Sequence, residues 1–416
     1  MESAGPEPYL SVVATTRNDN HGGDLTKRTQ MFIDGLAVQA TRHRVPIELV
    51  LVEWNPPPGR RSLAEEMRWP KSTAYYSGRV ITVPADVHAR VDPESRLPLY
   101  QMIGKNVGIR RARSPFILAT NVDLLFSDAV FQEFKRGLRS DRLYRADRYD
   151  IDALIPADAS IDEALAYAKS HTMRILKANG VYTNRNGAWV NTDPTPYLRV
   201  HNAVRCGLDE AKGIVQRRIQ ASGLFREESA RQLALGALPL ALALVLFRRA
   251  RSRLFRRPAR PSHLDDIFNE RGEEIRCALT QWRKFARLHT NACGDFTLLS
   301  RENWFRLSGY PEWVMYSWHI DSIFLLQADA SRIATHKFST NACTYHIEHD
   351  GGWTPEREAA LFRNLQARGV RYVSFEDLCN LSTELDQVRK RGEIKNFNGR
   401  NWGLADLDLP EVTAPS

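Results

Sequence analysis

What most constrains this chain is a series of short apolar, β-branched runs in its first third, each parted from the next by helix-like patterning. Leu10 to Thr15 (LSVVAT), Ile47 to Val52 (IELVLV), Val80 to Val83 and Phe116 to Thr120 (FILAT) read as strands. The second is stopped by Trp54 and the triplet Pro56-Pro57-Pro58. A helical stretch fills the gap up to about Val45, and Leu99 to Arg113 carries Met102, Ile103, Val107 and Ile109 on one face. This order predicts an α/β fold, a mostly parallel sheet with helices on both faces. Ligands of such sheets bind beyond the carboxyl ends of the strands, so the residues just after each strand are the first candidates for chemistry.

The middle of the chain breaks the pattern. Leu233 to Phe247 (LALGALPLALALVLF) holds no charge, and residues 248–260 (RRARSRLFRRPAR) follow it directly. The apolar run is shorter than the roughly 20 residues that span a bilayer. An apolar segment beside an arginine cluster suits the surface of an anionic membrane, although a buried core helix or a helix pair over the active site reads the same way. The basic run also accounts for much of the net charge of +9. No zinc-finger spacing or RNA-binding aromatic motif accompanies it, so nucleic acid is not the expected partner. The five cysteines, Cys206, Cys277, Cys293, Cys343 and Cys379, are odd in number, far apart and without a CxxC. They read as reduced thiols, and with no signal-peptide pattern the expected location is cytoplasmic, peripheral on the membrane's cytoplasmic face if the apolar run is an anchor. The domain expectation is residues 1–205 for a first α/β part, 206–285 for a helical basic insertion, 286–395 for a second α/β part and 396–416 for an irregular tail. In the second part, residues 294–299 read as a strand, Ser300 as a helix N-cap, 317–328 as a helix and 344–349 as a short strand or loop.

Asn121 and Asp123 stand two apart where the fourth strand ends. Two oxygen-bearing side chains in that i, i+2 arrangement can face the same way and meet a hard divalent cation such as Mn2+ or Mg2+. The alternative is a helix N-cap before the apolar run that follows. The segment Arg145 to Asp150 (RADRYD) can line a cleft or form an Arg–Asp ion-pair lattice.

The stretch Lys105 to Ser127 (KNVGIRRARSPFILATNVDLLFS) resembles the donor-site region of glycosyltransferases of the GT-A fold, in which a helix opening on Asn-x-Gly precedes a strand that ends in an acidic DxD motif. That motif corresponds here to Asn121-Val122-Asp123, with Asn in the first acidic position, a departure that removes one charge. Residues 294–322 (GDFTLLSRENWFRLSGYPEWVMYSWHIDS) resemble the acceptor-side segment of inverting family-2-like enzymes and galactosyltransferases. The resemblance implies a nucleotide-sugar donor, UDP-linked, and a hydroxyl acceptor on a glycan or lipid-linked glycan. It implies donor contacts from Thr16, Arg17, Asn18, Glu53, Lys105, Asn106 and Asn121, and acceptor contacts from Asp295, Tyr310 and Glu312. Asp321 stands at the position of the catalytic base, where an ordinary first-turn carboxylate would equally be favoured. It further implies a late-loop histidine completing the metal site with Asp123. His346 and His349 both qualify, and His349 is preferred because it abuts Asp350-Gly351-Gly352, with Trp353 close by. Two other readings stay open: nucleotidyl transfer onto a sugar phosphate, for which Gly22-Gly23 after the first strand is the hint, and a non-catalytic relative that binds nucleotide or membrane.

Overall fold

The computed structural model describes residues 7–156, 158–192, 281, 283–349 and 357–414. The apolar run 233–247, the basic run 248–260, Cys206, Cys277 and the Asp350 to Trp353 turn lie outside the described residues. Residues 1–192 and 284–416 make one compact unit and 193–283 a second. Among the described residues no helix is long and apolar enough to cross a membrane.

The fold of the first unit is α/β, built on two sheets, both mixed. The larger has eight strands. Four of them run parallel: β3 (Tyr76–Val83), β2 (Ile47–Trp54), β1 (Leu10–Thr16) and β4 (Phe116–Ala119). Every residue of β1, β2 and β4 is buried, which is why these strands read as continuous apolar runs rather than as alternation. Against β4 lies β11 (Thr297–Ser300), antiparallel, then β6 (Arg142–Arg145) and β12 (Ala334–Lys337). At the far edge β14 (Glu411–Thr413) pairs antiparallel with β3, so the tail expected to be irregular contributes a strand. The mostly parallel expectation is thus corrected to a mixed sheet. The four leading strands are parallel as expected, and β6 and β12 run with them, but β11 and β14 enter with reversed direction.

The second sheet has the order β10-β9-β8-β7-β13-β5. Its strands are β5 (Leu124–Phe126), β7 (Asp147–Ile151), β8 (Thr172–Lys177), β9 (Gly180–Arg185), β10 (Ala188–Asn191) and β13 (Cys343–Ile347). Only β7 and β13 run parallel. The β8–β9–β10 meander turns through short loops, one at Asn186-Gly187 with positive φ at both residues, and tight loops of this kind join antiparallel strands.

Two helices set the site. Helix α1 (Leu25–His43) covers one face and packs on β5 and β3. It ends where Arg44 turns left-handed. Helices α2 (Leu63–Glu66) and α3 (Ala85–Val91) are short. Helix α4 (Gln101–Arg111) lies directly on β1, closer than any side chain would allow. A Cβ on Gly104 would meet Thr15 Oγ1 at 2.5 Å, and one on Gly108 would meet Val13 Cγ1 at 2.4 Å. Helices α5 (Asp128–Arg136) and α6 (Ile161–Ser170) follow, then α7 (Arg301–Arg306), α8 (Ile320–Ala330), α9 (Glu358–Ala367) and α10 (Phe375–Arg391). Ser300 caps α7 by accepting from the Asn303 amide, as its sequence position implies. Trp304 of α7 is fully buried, stacked on Phe324 at 4.4 Å, with its indole donating to the Ile117 carbonyl of β4 at 3.0 Å. Helix α8 starts three residues later than expected because His319, at φ 62°, forms a left-handed cap ahead of it.

Candidate metal centre and cleft

Strand pairing builds the site. Beyond β4 the chain crosses to β5, which runs antiparallel to β13 with Leu124 opposite His346. The Ile347 amide then donates to the Asp123 carbonyl at 3.0 Å, extending that ladder by one residue. Asp123 is therefore held across from His346 and His349. His346 Nε2 lies 3.5 Å and His349 Nε2 3.2 Å from Asp123 Oδ2. These three offer ligand atoms all within 4.8 Å of one another. Ligands bonded to one ion at about 2.1 Å sit roughly 3.0–3.4 Å apart, whereas a charge-assisted N–H···O bond is about 2.7–2.9 Å. His349 falls in the first range and His346 just beyond it, so the spacing is compatible with a shared cation. Asp123 Oδ1 and both Nδ1 atoms have no hydrogen-bond partner among the described residues.

The charges agree. Burial pushes Asp123 up, but the two imidazoles outweigh it and hold the carboxyl well below the usual range. Burial and Arg148 push His346 down, yet Asp123 and Asp150 prevail and raise it to about 9. Two nitrogens and a carboxylate suit a manganese-like or zinc-like ion rather than calcium. A second grouping, Asp150, His346 and Glu348, is also close enough to hold an ion. Here, however, Asp150 already meets Arg148 Nε at 2.5 Å and Arg174 Nη1 at 2.8 Å, and Arg174 reaches Glu348 at 2.8 Å. Two guanidinium cations occupy the place a metal would need, so this second group is an ion-pair lattice.

The other motif residue behaves differently. Asn121 Nδ2 donates to Asp295 Oδ1 at 2.5 Å, and its Oδ1 accepts from Gln101 at 2.9 Å. Both ends of the amide are engaged, so Asn121 shapes the cleft instead of ligating. Asp295 in turn accepts from Arg148 at 2.7 Å, so both of its oxygens are engaged too. Lys105, fully buried, donates to the Gly294 carbonyl at 2.7 Å. Burial drives its ammonium down to about 8 against the pull of Asp295, Asp321 and Asp123. Asp321 is half-buried in the first turn of α8 and accepts from the Ser322 amide at 2.8 Å. Gly294 leaves room for it: a Cβ there would stand 2.9 Å from Asp321 Oδ2. Burial raises the Asp321 carboxyl.

The strand ends expected to hold a donor do adjoin one another. Thr16 pairs with Glu53 in the β1–β2 register. Glu53 accepts from the Leu63 amide at 3.0 Å and its carboxyl is pushed up by burial. Asn18, left-handed at φ 57°, ties the loop to Arg61 and Glu66, while Arg17 pairs with Asp19 at 3.1 Å. Three of the expected contact residues are engaged with one another. Asn106 bonds the amide and carbonyl of Tyr310 and donates to Glu312 at 2.9 Å, and Glu312 also takes the Gly403 amide at 2.7 Å. Tyr310 is fully buried against Trp304 and Phe324. Asn106, Tyr310 and Glu312 thus form a latch tying α4 to the C-terminal segment.

The residues beside the site that the sequence did not single out are His21, Gln101 and Arg174. His21, in the β1–α1 loop, meets the His349 ring edge-on at 5.7 Å. A cavity of about 480 Å³ opens beside His349, lined among others by Asn20, Gly23, Lys27, Arg28, Asp152 and Glu348. Compared with known proteins, the chain matches no family model and no curated sequence.

Proposed function

We propose that this protein is a metal-dependent glycosyltransferase of the GT-A type. It would move a sugar from a nucleoside diphosphate donor, UDP-linked, to a hydroxyl acceptor on a glycan or lipid-linked glycan, with inversion. The observation that carries the reading is where the Asp123, His346 and His349 group falls. β2 and β3 extend the sheet to one side of β1, and β4 lies on the other. The order reverses between β1 and β4, and Arg17 and Asp123 follow the ends of those two strands. That reversal point is where open α/β sheets bind their ligands. The adjoining cavity is of ligand size.

Asp123, His346 and His349 would hold the divalent ion. When bound, it supplies positive charge to the diphosphate that leaves. Asp321 takes the proton of the acceptor hydroxyl, its raised carboxyl being a stronger base than a free aspartate. The acceptor oxygen then attacks the anomeric carbon from the side opposite the departing diphosphate, which inverts the configuration. Lys105, fixed to Gly294, balances the negative charge gathered around the base.

Nucleotidyl transfer has one observation in its favour: Gly22 and Gly23, both at positive φ, border the cavity ahead of α1. Against it, Arg28 in the first turn of α1 is spent on the carbonyls of His21 and Gly23, so it presents no free fork to phosphate. A screen of nucleotide sugars for Mn2+-dependent hydrolysis or transfer tests the main reading. Turnover only with a sugar 1-phosphate and a nucleoside triphosphate would replace it with the second.

A further inference from the structure

Asp150 has no part in the chemistry above, yet it is fully buried one strand away from the metal group. It sits on β7 directly beside His346 of β13 in the parallel register, so the two side chains share a face of the sheet. Its Oδ1 lies 3.4 Å from His346 Nδ1, an ion-pair contact longer than a formed hydrogen bond, and no other described residue is bonded to that nitrogen. The opposite ring nitrogen, Nε2, is the one that faces Asp123.

We propose that Asp150 is a positioning residue of the metal centre, which holds the His346 ring by its Nδ1–H so that the Nε2 lone pair is aimed at the ion shared with Asp123. This rests on the metal site proposed above. A neutral imidazole carries one ring proton, and the nitrogen that finds an acceptor keeps it. Asp150 is a fixed acceptor because Arg148 and Arg174 pin its two oxygens, and a carboxylate behind a ligating histidine both sets the tautomer and raises ligand basicity. Among the described residues the corresponding nitrogen of His349 has no carboxylate contact of this kind.

The pins continue into a closed circuit. Arg148 also donates to Asp295, and Asp295 accepts from Asn121, which stands two residues before Asp123 in the chain. The circuit accounts for Asn at position 121. A carboxylate there would face Asp295 Oδ1 at the 2.5 Å now spanned by a hydrogen bond. The residue that looks like a lost metal ligand is thus a donor required by the frame that orients His346.

The test is titration calorimetry of Mn2+ into wild type, Asp150→Ala and Asp150→Asn, with metal-free melting temperatures measured alongside. Loss of an outer-shell carboxylate weakens metal binding about 10–100-fold, and the amide, whose oxygen still accepts from Nδ1–H, recovers part of that loss. A purely structural role would lower the melting temperature without this graded order in affinity. Should Asp150→Ala fail to fold, the wild type decides by itself. With histidine labelled in 15N and Zn2+ bound, His346 is expected to show Nδ1 protonated and Nε2 ligated. Affinity of Asp150→Ala within twofold of wild type, or His346 ligated through Nδ1, overturns the inference while leaving the metal site standing. Failure of the wild type to bind any divalent ion removes both.

Discussion

Replacing Asn121 by Asp restores the acidic residue that the DxD comparison expects, and the geometry says that it should harm the protein. Asn121 donates to Asp295 Oδ1 at 2.5 Å, so the substitution turns a hydrogen bond into a contact between two carboxylates. Two such charges about 3 Å apart at an effective dielectric of ~20 repel by roughly 5 kcal/mol. The introduced carboxyl escapes by keeping its proton. At pH 7 that costs about 4 kcal/mol for a group whose ordinary pKa is ~3.9, at ~1.4 kcal/mol per pH unit, and this caps the loss. Asn121 is half-buried and Arg148 already neutralises Asp295, so solvent and the guanidinium bring the expected destabilisation down to about 2–3 kcal/mol. The sign with pH follows. The introduced carboxyl has its folded pKa raised, so the penalty is absent below about pH 4 and grows as pH rises, and at pH 5 its cap is only about 1.5 kcal/mol. Urea unfolding in EDTA at pH 7 and pH 5 measures it, and adding Asp295→Asn should return part of the loss at pH 7. Equal stability of variant and wild type at pH 7, or a larger loss at pH 5 than at pH 7, would refute the reasoning.

The imidazole of His346, raised to about 9, must lose its proton before it can ligate, so Mn2+ affinity should climb about tenfold per pH unit from pH 7 towards 9 and then level off. Calorimetry across that range checks it, and an affinity flat with pH contradicts it. Asp321→Asn should keep Mn2+ and donor affinity within about threefold while lowering turnover at least 100-fold, as removal of a general base does; single-turnover rates decide, and a near-normal rate excludes the base. Gly108→Ala should destabilise by about 2 kcal/mol, since a Cβ at 2.4 Å from Val13 overpacks the α4–β1 contact by more than the ~1 kcal/mol that alanine adds to a helix. A variant as stable as wild type in urea would mean that α4 does not sit so close to the sheet.

Sequence and structure agree where burial leaves a local mark. β1, β2 and β4 are covered on both faces, so their apolar runs are visible in the chain, and Gly104 and Gly108 recur on the face of α4 that meets β1. β3 was foreseen only over its second half, because Ser77 and Gly78 interrupt the apolar pattern while Trp69 packs over Gly78. The second sheet left little trace. Its strands carry Arg148, Asp150 and Arg174, charges that pair with each other inside the fold, and such residues hide the alternation by which a strand is read. That Asp123 and the two histidines converge depends on Leu124 lying opposite His346, a pairing across more than 200 positions that no local pattern encodes. The bonds among Asn106, Tyr310 and Glu312 were hidden for the same reason. Asn106, inside α4, bonds partners more than 200 positions away, and no local pattern announces them.

The central claim is that a cation held by Asp123, His346 and His349 grips a nucleoside diphosphate at the head of the sheet. Calorimetric titration of UDP into the wild type and Asp123→Ala, each with Mn2+ and with EDTA, tests it most directly. The account predicts binding by the wild type only when Mn2+ is present and none by the variant in either condition. UDP binding of equal strength in EDTA, or retained by Asp123→Ala, would contradict it.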